Sequence, residues 1–221
     1  MPTIVIVGAG PGLGLSIGKV FGRHGFTVAL VARDQAKLDA LAGQLEELGI
    51  DAAGFAADIM DRPSLVEAFK QIEQRYGAID VLEYSPAPHT PVQGITMTGP
   101  IEATVENLQP QIEFYLHGAV TATHQVLDAM VDRGAGTLFY TTGASSVNPR
   151  PMMGNVGPAA AALRNWALAL HQALADTGVY VAHVPINHWI GHGGPETQPD
   201  TIAELYWTLY TERAVAEHLV A

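Results

Sequence analysis

The chain of 221 residues contains no cysteine, which excludes disulfides, thiolate metal ligands and a cysteine nucleophile. Basic residues are also scarce: 11 Lys and Arg stand against 22 Asp and Glu, and the formal net charge of -11 opposes binding to nucleic acid or an anionic membrane surface. An anionic ligand would need a local site. The last lysine is Lys70, so no ammonium group is available anywhere beyond it. No apolar run is long enough to span a bilayer, and the start Met-Pro-Thr-Ile-Val lacks the basic region and cleavage pattern of a signal peptide. The expected compartment is therefore cytoplasmic. No metal site is expected either. His188 and His192 have ligand-like spacing only on a helix, and Gly191, Gly193, Gly194 and Pro195 mark that stretch as a loop.

With 48% hydrophobic residues the chain can bury a substantial core, and no break in composition divides it, so one domain is expected over residues 1–221. The run Thr3-Ile4-Val5-Ile6-Val7 is β-branched throughout, as in a strand buried on both faces. It ends at Gly8-Ala9-Gly10-Pro11-Gly12-Leu13-Gly14, after which Leu13, Ile17, Val20 and Phe21 recur at helical spacing. A glycine-rich turn between strand and helix suits an anion. Glycine lets another group approach the backbone closely, and the helix N-terminus offers free N–H groups and a positive dipole end. Further apolar runs at 26–31, 52–57, 79–82, 137–141 and 179–184 alternate with amphipathic stretches at 35–48, 61–76, 111–133, 159–175 and 201–212. A short last strand is expected at 217–220. Residues 85–100, with Pro86, Pro88, Pro91 and Pro100, read as a surface loop. The pattern predicts an α/β fold: a Rossmann-type, doubly wound parallel sheet in three αβα layers, with its ligand crevice at the strand carboxyl ends.

Within this frame the spacing Gly8-x-x-x-Gly12-x-Gly14 resembles the short-chain dehydrogenase/reductase family. Arg33 directly after the second strand and Asp58-Ile59 after the third support the resemblance, which extends over nearly the whole chain. It implies a nicotinamide dinucleotide held by Gly8, Gly12, Leu13, Gly14, Arg33, Asp58, Ile59 and Ser85, with Asp58 and Ile59 against the adenine. In Ala32-Arg33-Asp34 the arginine comes first, at the place where a carboxylate binds the ribose hydroxyls of NAD and an arginine pairs with the 2′-phosphate of NADP. NADP is favoured over NAD. The resemblance further implies a homodimer or homotetramer formed through the helices at 111–133 and 159–175.

The residues that carry the family's chemistry are absent. The family uses an asparagine, a serine, a tyrosine that moves the proton and a lysine that lowers its pKa. At the matching positions stand Tyr115, Gly143, Val156 and Ala160, and because no lysine follows Lys70, no shift of frame restores a tyrosine–lysine pair. The family's Asn-Asn-Ala-Gly after the fourth strand is replaced by Tyr84-Ser85-Pro86-Ala87. Polar residues nevertheless surround the expected crevice, among them His89, Thr142, Asn155, Asn187 and His192, with Tyr115, Ser145 and His188 as the candidates for catalysis. Tyr115 needs a neighbour that lowers its pKa from about 10, and the sequence names none. The leading expectation is an NADP(H)-binding oxidoreductase with a non-family proton donor and a small-molecule substrate that sequence does not identify. The alternatives are a non-catalytic nucleotide sensor, or an isomerase or lyase in the same crevice.

Overall fold

The computed structural model describes residues 1–88, 92 and 94–221. Six parallel strands form one sheet in the order β3-β2-β1-β4-β5-β6, with β1 Thr3–Val7, β2 Thr27–Ala32, β3 Ala52–Ala56, β4 Val81–Tyr84, β5 Gly136–Gly143 and β6 Val179–Ile186. The strands of the sheet's centre read as continuous apolar runs because both of their faces are covered. On one face α1 Leu13–Arg23, α2 Gln35–Glu46 and α8 Pro199–Glu212 pack Ile17, Phe21, Leu38, Leu45, Ile202 and Tyr206 against Ile4, Ile6, Leu30 and Phe139. On the other, α3 Arg62–Tyr76, α5 Gly118–His124, α6 Leu127–Arg133 and α7 Val156–Ala173 pack Leu65, Phe69, Ala119, Met130 and Leu163 against Val5, Val7, Leu82 and Tyr140. Among the described residues no helix is long and apolar enough to cross a membrane.

The chain reverses its direction across the sheet between β1 and β4. Their carboxyl ends diverge into separate crossovers, and a crevice opens there. Val7 lies opposite both Val31 and Tyr84, so the turn after β1 sits at the mouth of that crevice.

The single helix expected over residues 111–133 is corrected by the structure. Helix α4 starts earlier, at Val105–Ile112, because Thr104 and Asn107 form a reciprocal capping box. Pro110 lies within α4 and withholds its N–H, and the chain then widens into a π turn at Glu113–His117 before α5. A second break at Gln125 and Val126 separates α5 from α6, where the amides of both residues turn back to Ala122 and Thr123 in three-residue steps. The expected last strand is reduced to two parallel bridges, His183 to Glu217 and Ile186 to Val220, beside β6.

Candidate functional site

At the turn after β1, the amides of Gly8 and Ala9 both donate to the Val31 carbonyl, at 2.9 and 3.1 Å, which ties the turn to β2. Gly8 has φ +96°, and a Cβ there would stand 2.5 Å from Pro86 Cα and 2.8 Å from the Ser85 carbonyl carbon. Only glycine lets the tips of β1 and β4 close on each other. At Gly10 and Gly12 a Cβ would meet nothing within 4 Å, so these two border open space. Leu15 N–H donates to the Gly10 carbonyl and Ser16 N–H to that of Gly12, so the amides ahead of Leu15 are the ones a helix start offers to a ligand. α1 carries no acidic residue in its first turn to compete for that position.

A cleft of about 640 Å³ runs from this turn along the carboxyl edge of β2, lined by Gly8, Gly10, Pro11, Arg33, Asp58 and Ile59 among others. Pro86, Ala87 and Phe114 close its other side. A smaller recess of about 300 Å³ opens beside it between Arg33, Ala57, Asp58 and Ser64. Asp34 and Lys37 line the same cleft. The Asp34 carboxylate caps α2 by accepting from Lys37 N–H at 3.2 Å and pairs with Lys37 Nζ at 3.4 Å, and the backbone bond holds its pKa below the usual carboxylate range. Asp58 accepts from Met60 N–H at 2.9 Å and gives its own N–H to Ser64 Oγ at 3.2 Å, which fixes the loop after β3. Ile59 lies on the cleft wall and backs onto Gly118. Of the expected dinucleotide set, Gly8, Arg33, Asp58 and Ile59 border the cleft, and Gly12, Leu13 and Gly14 form the turn and first helical residues at its head. Ser85 turns its hydroxyl inward instead, donating to Glu83 Oε2 at 2.8 Å.

The three catalytic candidates are not joined. Among the described residues no hydrogen bond links Tyr115, Ser145 and His188, and none of them lines the cleft. Tyr115 sits on the π turn, edge-on to Phe114, with ring centroids 5.2 Å apart. Burial pushes its phenol up to about 12, opposite to the lowering that the sequence reading required. Ser145 is buried in a short 3-10 turn, Ala144–Ser146, against Gly157 of α7. His188 is half-buried after β6 with Nε2 enclosed and unpartnered. His89 lies outside the described residues. Asn155 is a structural tether rather than a crevice group: fully buried, it accepts from Thr98 N–H and donates to the carbonyls of Thr96 and Asn107.

The replacement of the asparagine motif has a structural compensation. Tyr84, fully buried at the end of β4, donates its hydroxyl to the Phe114 carbonyl at 2.7 Å. That carbonyl belongs to the π turn, and Gly118 leaves room for the Tyr84 hydroxyl, which a Cβ there would strike.

Two polar clusters were not legible in the sequence. In one, Glu83 is fully buried among hydroxyls on β4. In the other, fully buried His183 joins Glu217 Oε2 through Nδ1 and the Thr142 hydroxyl through Nε2, both at 2.9 Å, and Thr142 continues to Ser146 at 2.8 Å. Burial pushes the His183 imidazole below its ordinary pKa against the pull of Glu217. Arg164 clasps the same carboxylate with two bonds, at 2.5 and 2.9 Å. The order resembles a nucleophilic triad, but Thr142 is enclosed, and the cluster fastens residues 215–220 to β6 and α7. No run of residues announces either cluster, because each joins positions from different elements.

A family model described as short chain dehydrogenase matches residues 2–186. A short chain dehydrogenase of Pseudocercospora fijiensis is 26% identical over 180 residues, covering 80% of this chain and 56% of that protein. The chain thus spans little more than half the length of that relative. Among solved structures, L-sorbose reductase from Gluconobacter frateurii, in complex with NADPH and L-sorbose, has a TM-score of 0.84 at 20% identity, covering 99% of this chain and 94% of that one. An actinorhodin polyketide ketoreductase with NADPH has a TM-score of 0.85 at 23% identity over the same shares. At these identities the structural likeness establishes the fold.

Proposed function

Because this chain belongs to the short chain dehydrogenase family, we propose that it binds NADP(H) in the cleft headed by the glycine turn and reduces a small carbonyl compound with a proton donor of its own. The observation that carries the cofactor reading is the set of charges at the tip of β2: Arg33 borders both the cleft and the adjoining recess, and Lys37 lines the cleft beside Asp34 and pairs with it, so two cations stand there against one carboxylate. A guanidinium pairs with a phosphate through two parallel donors, and the Asp34 carboxylate on the same cleft wall is already engaged by Lys37 N–H and Lys37 Nζ. The residues fit the group. Gly10 and Gly12 leave room for a pyrophosphate to approach the backbone, and the α1 N-terminus, with no acidic residue in its first turn, favours an anion there. The L-sorbose reductase and the ketoreductase, both described with NADPH, are consistent with this choice.

When bound, the nicotinamide supplies or accepts hydride. The chain's part is the proton. The donor assigned to it is Tyr115, which follows the cleft-lining Phe114 on the π turn without lining the cleft itself and, at about 12, stays protonated throughout the neutral range. Arg33→Asp is expected to weaken NADPH binding about 10- to 100-fold, the loss of a charged bidentate contact, with NADH far less affected. Unchanged NADPH affinity in a fluorescence titration would discard the assignment. Turnover of a carbonyl panel should fall about 10²-fold in Tyr115→Phe with little change in KM.

A second reading, a non-catalytic NADP(H) sensor, is favoured by the substitution of all four relay positions by Tyr115, Gly143, Val156 and Ala160. Tight NADPH binding without oxidation across that panel would select it. A homodimer or homotetramer is proposed through α5 and α7, on which Leu116 just before α5, Val120, Trp166 and Leu170 are only half-buried. Light scattering that gave a monomer mass would exclude it.

A further inference from the structure

Glu83 is a carboxyl on β4 that nothing assigned to the cofactor or the proton relay requires. It occupies a core position, facing the same side of the sheet as Ile6 and Phe139, the residues opposite it on β1 and β5. Its partners are hydroxyls: Ser85 Oγ donates to Oε2 and Thr141 Oγ1 to Oε1, each at 2.8 Å, and Thr141 meets the Tyr206 hydroxyl at 2.6 Å. Among the described residues no ion pair reaches it, and neutral donors compensate a buried carboxylate only in part.

The cluster lies directly behind the glycine turn. Ile6, opposite Glu83, is two residues before Gly8, roughly 7 Å along a strand. Ser85 N–H donates to the Val7 carbonyl at 2.9 Å, and the backbone of Ser85 and Pro86 is what a Cβ on Gly8 would strike. Pro86 in turn lines the cleft. The strand end Ser85-Pro86 thus lies between a buried carboxyl and the cleft where an anionic ligand is received.

We propose that an anionic dinucleotide binds to this cleft together with one proton, which Glu83 takes up. The proposal rests on the dinucleotide reading of the cleft. Glu83 takes the proton from hydronium or a buffer acid of the solvent, which becomes water or the conjugate base, and the Ser85 hydroxyl keeps its own proton. The carboxylate becomes a carboxylic acid, and no other bond changes. The driving force is electrostatic: two negative charges a short way apart in a poorly screened interior repel, and neutralising one removes the repulsion.

The sign follows from where Glu83 titrates. Burial has already pushed its carboxyl up to about 7, and an anion in the turn pushes it higher. Affinity is therefore greatest below about pH 7 and falls by up to tenfold per unit as pH rises from there to the bound-state value. The groups that face Glu83 do not reproduce this. Tyr206 of α8 is held protonated far above neutrality, β1 and β5 present Ile6 and Phe139, and α1 contributes Leu13 and Ile17. Asp200, at the start of α8, is engaged by the Ser16 hydroxyl at 2.6 Å.

The test is calorimetric titration with NADPH from about pH 6.5 to 8.5, in pairs of buffers that differ in ionisation enthalpy, on the full chain and on Glu83→Gln. The 2′-phosphate of NADPH itself titrates near 6, and the comparison of the two proteins cancels it. The wild type is expected to take up about half to three-quarters of a proton more than Glu83→Gln near pH 7.5, and to lose about five- to twentyfold more affinity over the range. Equal proton uptake by the two proteins overturns the proposal. Ser85→Ala provides an independent arm. Removing a donor to the carboxylate should move the midpoint of the wild-type pH dependence upward, and a fixed midpoint overturns the proposal even if Glu83→Gln does not fold. If the wild type binds no NADPH at millimolar concentration at any pH, the cofactor reading itself fails, an outcome distinct from binding without proton uptake.

Discussion

Glu83 and Arg33 show how differently single residues are specified. Arg33 acts where the chain leaves β2, so its neighbours in sequence, Ala32 and Asp34, are also its surroundings, and its place at the cleft can be read from order alone. Glu83 lies inside an apolar strand, Val81-Leu82-Glu83-Tyr84, and only the fold brings Thr141 and Tyr206 to it, from 58 and 123 positions away (141 − 83 and 206 − 83). Its effect on stability has a definite sign. The carboxyl binds its proton more tightly folded than unfolded, so its stabilising protonated form is retained below about 4.5, and the contribution is lost as pH rises toward about 7. Glu83→Gln, permanently neutral, should match the wild type near pH 4.5 and exceed it by about 3 kcal/mol above pH 7.5, as measured by urea unfolding at both values. A wild type more stable than the variant at the higher pH would mean that the carboxylate is better compensated than its partners suggest.

At the scale of elements, the turn after β1 and the π turn between α4 and α5 are both set by close backbone approach. Gly8→Ala forces a methyl group into Pro86 at a φ of +96°, so it should cost several kcal/mol and abolish dinucleotide binding. Thermal unfolding and NADPH titration would separate the two effects. Tyr84→Phe leaves the Phe114 carbonyl buried without its donor and should cost about 1–3 kcal/mol in urea unfolding. The glycine turn was legible in the sequence because its signal is local. The π turn was not: a run with helical spacing looks continuous, and its widening depends on Pro110 together with the Tyr84 hydroxyl, which arrives from the sheet.

For the molecule as a whole, residues 215–220 act as a clasp along β6. His183 and Asn187 N–H donate to the carbonyls of Ala216 and Val220, and His218 and Val220 N–H donate to those of His183 and Pro185, all at 2.8 to 3.0 Å. Arg164 and His183 hold Glu217 from α7 and β6. The ionic part of the clasp favours neutral pH. Burial lowers the His183 pKa, so its contribution is complete above about 6.5 and is lost as pH falls, and Glu217, held below its ordinary range first by Arg164, loses its contribution as pH falls through the acidic range. Glu217→Gln should speed exchange of the Asn187, His218 and Val220 amides about tenfold or more at pH 7.5, while amides of β1 and β4 stay protected. Hydrogen exchange resolved by residue decides this, and uniform protection across both proteins would show that the backbone bridges suffice.

The sequence by itself determined the alternation of strands and helices, the parallel sheet, the glycine turn and the absence of the family's tyrosine–lysine pair. These are matters of periodicity, of residues adjacent in the chain, or of a residue type missing altogether. The tertiary structure alone decided which polar groups face one another. It enclosed Ser145 and Asn155, turned Ser85 toward Glu83, gave Tyr84 a carbonyl to hold, and joined His183 to Glu217. Crossovers bring residues far apart in the chain within 3 Å, and burial then sets whether a side chain is charged, paired or merely packed.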